Sequence, residues 1–174
     1  IGNVIDPRKN IRALLNAWQE CNFQNANLLI KATCIQDFSL SLPNVTVING
    51  LLTNDQMEKI HQGCDCYVNC SHSEGVGMGA VEAALRNKPV IITDYGGLKE
   101  YVSTPWTVPC KLVPIGFDDF LFTKDLEWGL PDYSELVRCL KDCYDTKVRY
   151  WDHTHTKNLM KSIVPDFLQY SSET

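Results

Sequence analysis

The chain lacks several features that would assign it directly to a class of protein. Its 174 residues contain no apolar run close to the roughly 18 residues that a membrane-spanning helix needs. Lysine and arginine number 16 against 21 aspartates and glutamates. The resulting net charge of −5 has the wrong sign for a general binder of nucleic acids or anionic membranes. Any anion that the protein binds is therefore held by a local site.

Two common phosphate- and metal-binding signatures are also missing. No Asp-x-Asp sequence occurs, and no glycine is followed by Lys-Ser or Lys-Thr as in a Walker loop. The chain begins with Ile1 and carries neither a signal peptide nor a basic leader. We therefore expect it to be a piece of a longer protein.

The composition is that of one globular domain, with 44% hydrophobic and 21% charged residues. The eight cysteines fall mostly inside strand-like or helix-like segments, as small buried apolar residues do. A secreted disulfide framework would place them in loops instead. The cysteine pattern therefore predicts a reducing, cytoplasmic location.

Short apolar segments alternate with amphipathic helical patterns along the chain. The predicted strands are residues 1–5, 28–32, 45–49, 65–70, 89–93 and 111–115, the last within an otherwise irregular stretch, residues 103–131. The predicted helices begin at Asp6-Pro7, at the Thr53–Gln56 capping box, and near residues 77, 97, 136 and 147, with a shorter one after Pro165. This alternation predicts a parallel sheet covered by helices on both faces. Ligands of such sheets bind beyond the carboxyl ends of the strands.

Two cations lie in the first turn of the first predicted helix. Arg8 and Lys9 follow Asp6-Pro7, at the end of a helix where the dipole disfavours positive charge. One interpretation is an anion site, in which free N–H groups and these side chains converge on a phosphate. The other is a pair of solvated basic residues. The turn taken alone favours the second interpretation.

Three glycines lie within five residues after the fourth predicted strand. Gly75, Gly77 and Gly79 let backbone N–H groups approach a ligand closely, although their spacing is not that of a dinucleotide-binding loop. Glu74 and Glu82 bracket this loop. Two carboxylates repel a phosphate but accept hydrogen bonds from diols, so the loop and the first-turn cations fit a diphosphate between two polyols, as in a nucleotide sugar. The alternative for Glu74 is an acidic residue favoured at a helix start. The alternative for Glu82 is a solvated helix residue.

The spacing of these carboxylates leads to a family resemblance. Seven residues separate Glu74 from Glu82, and the chain continues Ala-Ala-Leu-Arg-Asn-Lys-Pro-Val. This stretch resembles the E-x7-E signature of retaining GT-B glycosyltransferases of family GT4. Further resemblances occur in order at residues 6–10 ("PRKN"), 54–65 ("L-x-x-L-Y-x-x-A-D"), 96–100 ("GGLxE") and 128–132 ("W-x-x-P-D"). The likeness extends over roughly residues 1–145.

The resemblance implies that residues 1–174 form a single Rossmann-like, three-layer domain with C-terminal helices at about 146–174. This domain would be the donor-binding, C-terminal half of a two-domain enzyme. By motif matching, Glu74 contacts hydroxyls of the transferred sugar, Lys9 neutralises the departing diphosphate, and Glu82 holds the ribose hydroxyls. The remaining implied sugar and phosphate contacts come from Arg8, Gly75, Val76, Gly77, Met78 and Gly79. The main chain that borders the base is implied to be that of Gly50, Leu51 and Leu52.

The resemblance also implies the reaction and the partners. The reaction is metal-independent, retaining transfer of a hexose from a UDP-, GDP- or ADP-sugar, without a cofactor. Gly2-Asn3 stands where the family usually has Gly-Arg, and Arg8 is the candidate replacement for that cation. The implied partners are the donor and the protein's own N-terminal acceptor domain, through which any peripheral membrane association would occur. No nucleic-acid partner is expected, and we expect the isolated domain to have little or no transferase activity.

Three alternatives remain open at this point. A GT-B nucleotide-sugar epimerase and a non-catalytic nucleotide-sugar-binding module would both use such a domain. The third alternative is a zinc site formed by Cys64, Cys66, Cys70 and His72. These four side chains share one face of an extended strand, but four ligands along a straight strand cannot surround one ion. Finally, His153 and His155 are expected on the surface of a late helix.

Overall fold

The computed structural model describes residues 1–33, 38–118 and 122–163. The strands are β1 (Leu28–Lys31), β2 (Val45–Ile48), β3 (Tyr67–Asn69), β4 (Val90–Thr93), β5 (Thr107–Val108), β6 (Cys110–Pro114) and β7 (Glu127–Pro131). The α-helices are α1 (Ile11–Cys21), α2 (Asn54–Gly63), α3 (Met78–Leu85), α4 (Gly97–Tyr101), α5 (Tyr133–Thr146) and α6 (Thr154–Ile163). Cys34 and the predicted helix after Pro165 lie outside the described residues.

Parallel strands form the centre of the molecule, as predicted, but they divide into two sheets. β1 pairs with β2, and β4 lies between β3 and β5, all in parallel. The strand predicted at residues 1–5 is reduced to a single parallel bridge between Gly2 and Ala32. It ends there because the Asp6 N–H donates to the Asn3 carbonyl at 3.2 Å and closes a turn. A cavity of about 490 Å³ is lined by residues of both β1 and β3.

Helices cover both faces of the parallel strands, as the burial of β4 shows. All four residues of β4 are buried, as expected for a parallel strand covered on both sides. Ile91 packs into one core, with side chains of α1 and α5, including Leu14, Ala17, Leu136 and Leu140. Val90 and Ile92 point to the opposite face and pack into a second core, with Ala80, Val81, Leu98 and Met160 from α3, α4 and α6. The predicted Rossmann-like α/β architecture is therefore confirmed.

The first helix begins later than predicted. Asp6 accepts a hydrogen bond from the Arg8 N–H at 2.9 Å, but it caps only a 3₁₀ turn at Pro7–Lys9. Asn10 then adopts a left-handed conformation, with φ of 53°, and α1 starts at Ile11. Arg8 and Lys9 therefore lie in the 3₁₀ turn that precedes α1, and not in the first turn of that helix as predicted.

The second half of the chain contains more regular structure than predicted. Residues 103–131, expected to hold one strand, contain β5 and an antiparallel hairpin of β6 and β7. The helix predicted from residue 147 begins only at Thr154. Lys147 ends α5 in a left-handed conformation, and the Trp151 N–H donates to the Asn87 carbonyl at 2.8 Å. This contact holds the intervening segment against the end of α3.

The same segment buries a histidine that was expected on the surface. His153 is fully buried, and its Nε2–H donates to the Lys88 carbonyl at 2.8 Å. His155 is exposed, and its Nε2–H donates to the Glu100 carbonyl at 3.0 Å. The surface prediction is therefore confirmed for His155 and wrong for His153, because the chain before α6 turns inward.

Buried histidines predict a loss of stability in mild acid. Burial lowers the pKa of His153 and also that of His72, and in each case a hydrogen bond to a carbonyl only partly opposes it. The unfolded chain therefore binds protons more readily, so stability is retained above about pH 6.5 and falls as the pH drops below it. We expect Tm in thermal denaturation to fall between about pH 7.5 and 5.5. The fall should be smaller in His153→Gln, and an unchanged slope would contradict this explanation.

Candidate functional site

A cleft of about 520 Å³ lies at the carboxyl ends of the parallel strands. Its wall brings together most of the site residues named from the sequence, namely Lys9, Leu51, Leu52, Glu74, Val76, Gly77, Met78, Gly79 and Glu82. Arg8, Gly50 and Gly75 are not part of this wall. Arg8 and Gly50 form hydrogen bonds with the wall residues Glu74 and Lys31, and Gly75 lies between Glu74 and Val76 in the chain. Segments distant in sequence therefore converge where the α/β topology predicts a ligand.

Glu74 is the centre of an ion-pair network in this cleft. Its carboxylate accepts hydrogen bonds from Lys9 Nζ at 2.5 Å, Ser71 Oγ at 3.0 Å and Arg8 Nη1 at 3.2 Å. The side chain is only 10% exposed. Burial raises the pKa of this carboxyl, but the bonds from Lys9 and Ser71 and the charge of Arg8 outweigh burial and lower it overall. Glu74 is therefore ionised at neutral pH.

Arg8 supports the loop rather than presenting a free charge. Its guanidinium donates to Asp6 Oδ2 at 3.1 Å as well as to Glu74, and also to the Ser73 carbonyl at 3.0 Å. Two carboxylates therefore share the positive charge of Arg8. This bonding fixes the entry of the glycine-rich loop, but it reduces the net positive potential that Arg8 offers to a ligand in the cleft.

The turn at Gly96-Gly97 packs directly against the glycine-rich loop. The Gly97 N–H donates to the Glu74 carbonyl at 2.9 Å. A Cβ atom on Gly97 would lie 1.8 Å from the Gly75 carbonyl oxygen, so only glycine permits this approach of backbone to backbone. The Gly96-Gly97 turn and the glycine-rich loop thus pack together as one unit, and this packing sets the position of Glu74.

Helix α3 begins at the edge of the cleft. Gly77 precedes it with φ of +74°, a conformation that favours glycine. The first N–H groups of the helix, on Met78 and Gly79, have no intrahelical acceptor. The first turn of α3 carries no acidic residue. The free N–H groups and the helix dipole together make this end of the cleft attractive to an anion.

Glu82 lies one turn further along α3, where two residues that sequence reasoning missed contribute to the site. Its Oε2 accepts a hydrogen bond from Nε2 of buried His61 at 3.1 Å, and the side chain remains 39% exposed. Burial and then the charges of Glu74 and Glu82 raise the pKa of Tyr67, so its phenol stays protonated. A Cβ on Gly79 would lie 2.2 Å from the Tyr67 hydroxyl. His61 and Tyr67 gave no motif signal, because each belongs to an ordinary helix or strand pattern.

The chain after β2 forms another part of the cleft wall. Gly50 has φ of +81°, and Leu51, which follows it, is 96% exposed. The Gly50 carbonyl accepts a hydrogen bond from Lys31 Nζ at 2.5 Å, and the Lys31 side chain is only 2% exposed. Lys31 was also missed, although a lysine that ends the apolar segment Leu-Leu-Ile-Lys is a sequence signal for a functional charge.

The structure does not group the proposed zinc ligands. Among the described residues, no three His, Cys, Asp or Glu side chains are placed to hold a metal ion. Cys70 Sγ donates to the Asn10 carbonyl at 3.7 Å, and burial raises the pKa of this thiol to about 12. His72 Nδ1–H donates to the Gly129 carbonyl at 2.8 Å, and its ring stacks on Trp128. The cysteines of the described ranges, including Cys64 and Cys66, are free thiols.

Every helix in residues 1–33, 38–118 and 122–163 is too short or too polar to span a bilayer.

Comparison with family models identifies the family. A family model described as Glycosyl transferases group 1 matches residues 3–105, more than half of the chain. The matched range contains Lys9, the glycine-rich loop with Glu74, and Glu82. No curated protein matches the chain. The chain therefore belongs to the glycosyl transferases group 1 family.

Proposed function

We propose that this chain is the donor-binding, C-terminal domain of a GT-B glycosyltransferase of the GT4 type. It would form one domain over residues 1–174 and support retaining transfer of a hexose from a UDP-, GDP- or ADP-sugar to an acceptor. The observation that carries this proposal is the convergence of Lys9, Glu74, Glu82 and the start of α3 on one cleft. Membership of a glycosyltransferase family supports transfer as the reaction.

The groups that line the cleft suit the parts of a nucleotide sugar, and we assign each group to one part. Leu51 and Leu52 border the base, and Glu82 accepts hydrogen bonds from the ribose hydroxyls. The diphosphate lies at the start of α3, where Met78 and Gly79 present N–H groups. Glu74 then accepts hydrogen bonds from hydroxyls of the transferred sugar. Each carboxylate thus meets a polyol, and the donors meet the phosphates.

The charges of these residues suit the cleavage of a glycosyl–phosphate bond. Negative charge grows on the diphosphate as the bond from the anomeric carbon breaks, and a fixed cation with preorganised N–H groups stabilises it. Lys9 provides that cation next to Glu74, whose ionised carboxylate also favours positive charge developing on the sugar ring. We propose that these groups meet the charge of the diphosphate without a metal ion or cofactor.

The acceptor is assigned to a separate N-terminal domain, and the isolated chain is expected to bind the donor with little or no turnover. The full-length protein is proposed to act in the cytoplasm, with any membrane contact made through that other domain. Product analysis with labelled nucleotide sugars tests the reaction. Transfer to an acceptor supports the proposal, interconversion of nucleotide sugars indicates an epimerase, and binding without any turnover indicates a binding module.

Replacing Glu82 by alanine is expected to weaken binding of the nucleotide about tenfold or more, because two hydrogen bonds from ribose hydroxyls to a charged acceptor are lost. Isothermal titration of this chain with UDP, GDP and ADP measures the effect. Glu135→Ala is the matched control, since Glu135 lies on α5 and pairs with Arg138 away from the cleft. Normal nucleotide binding by Glu82→Ala would show that the ribose assignment is wrong.

A further inference from the structure

Lys31 is a buried ammonium group in the wall of the cleft. It ends β1, is 2% exposed, and donates to the carbonyl oxygens of Ala32 at 2.8 Å and Gly50 at 2.5 Å. Within the described residues, no carboxylate forms an ion pair with it. An ammonium group has three N–H donors, so two carbonyl acceptors leave one donor for a further partner.

This arrangement leaves positive charge uncompensated. A buried charge is costly unless it is paired, and carbonyl dipoles offset only part of that cost. Lys9 and Arg8 differ from Lys31, because Lys9 pairs with Glu74 and Arg8 pairs with both Asp6 and Glu74. Of these three described cations, Lys31 therefore has the most unshared charge to offer an anionic ligand.

Lys31 is also close to the other phosphate-binding groups. It lines the same cleft as Lys9, Gly77 and Met78 at the start of α3. Gly2 lies next to both lysines, because its N–H donates to the Lys31 carbonyl at 3.0 Å and a Cβ on it would lie 3.9 Å from Lys9 Nζ. A ligand anion between them would receive hydrogen bonds from two sides.

We infer that Lys31 is a second diphosphate-binding cation, which takes the part for which the sequence suggested Arg8. The inference rests on the proposed function, in which the diphosphate is the charged part of the ligand. The remaining Lys31 N–H donates to a phosphate oxygen. The bond to Gly50 meanwhile ties this cation to the chain segment that borders the base.

The test compares each nucleoside diphosphate with its own nucleoside. Dissociation constants of UDP and uridine, GDP and guanosine, and ADP and adenosine are measured by titration calorimetry. Lys31→Met should weaken binding of the preferred nucleoside diphosphate about tenfold or more, as for loss of a charged hydrogen bond. It should change binding of the nucleoside by less than about twofold. Lys88→Met is the matched control, since Lys88 Nζ also donates to a carbonyl, that of Gln62 at 2.8 Å, outside this cleft.

Lys31→Gln separates charge from loop support, because glutamine can still donate to the Gly50 carbonyl. Lys31→Gln should weaken binding of the nucleoside diphosphate as much as Lys31→Met does. It also provides the test if Lys31→Met fails to fold, as judged by its thermal transition. Unchanged binding of the diphosphate, or equal weakening of nucleoside and diphosphate, would overturn the inference. If either of these two results occurs while Glu82→Ala weakens nucleotide binding, only the role assigned to Lys31 is wrong. If the wild type binds no nucleotide, the proposed function and this inference both fall.

Discussion

Replacing Glu74 by alanine is expected to lower kcat for sugar transfer by the full-length protein about a hundredfold or more. Glu74 is ionised, nearly buried and bonded to Lys9, so its loss removes a sugar contact and leaves two cations without their shared carboxylate. Losses of this size are typical when one preorganised electrostatic contact to the reacting centre is removed. Initial rates with a labelled donor at saturating concentration measure the effect.

Binding of the nucleotide separates this effect from simple misfolding. Glu74→Ala should retain affinity for the nucleoside diphosphate within a few fold, because the assigned contact is to the transferred sugar. Ser71→Ala is a graded comparison, since Ser71 Oγ donates to Glu74 at 3.0 Å and its loss should lower kcat only modestly. Wild-type turnover by Glu74→Ala would exclude Glu74 from the reaction. If Glu74→Ala lost as much nucleotide affinity as Glu82→Ala, the assignment of Glu74 to the transferred sugar would be wrong.

Replacing Gly97 by alanine is expected to cost about 3 kcal/mol or more of the free energy of unfolding. The new Cβ would lie 1.8 Å from the Gly75 carbonyl oxygen, and backbone cannot give way as a flexible side chain can. Overpacking of this kind forces the backbone to shift. In a domain of this size, such a loss lowers Tm by about 6–12 °C. Thermal denaturation followed by circular dichroism measures it.

Gly63→Ala is the matched control for the glycine prediction. Gly63 ends α2, its φ is not positive, and a Cβ there meets nothing within 4 Å. This substitution should leave Tm unchanged or slightly raised, since alanine favours the helix. Equal Tm values for the two variants would contradict the close packing of the Gly96-Gly97 turn on the glycine-rich loop. Lower nucleotide-sugar affinity in Gly97→Ala alone would agree with displacement of Glu74.

Local patterns in the sequence predicted the elements that depend on near neighbours. The capping box of α2 is present, with hydrogen bonds of 3.3 Å and 2.9 Å between Thr53 and Gln56. The apolar run at β4 correctly indicated a parallel strand with both faces covered. Where the prediction was wrong, a distant contact decided the outcome. His153 is buried because its segment docks on the end of α3, which no pattern within residues 147–161 encodes.

The sequence by itself determined the family, the α/β class, and the placement of Glu74 and Glu82 on a loop and the helix that follows it, because these depend on spacing along a few turns of chain. Only the tertiary structure decided which groups face one another. Lys9 reaches Glu74 across 65 residues, His61 reaches Glu82 across 21, and Lys31 holds Gly50 across 19. Strand order brings these partners together, and burial then fixes their charges, so the electrostatics of the cleft depend on tertiary packing.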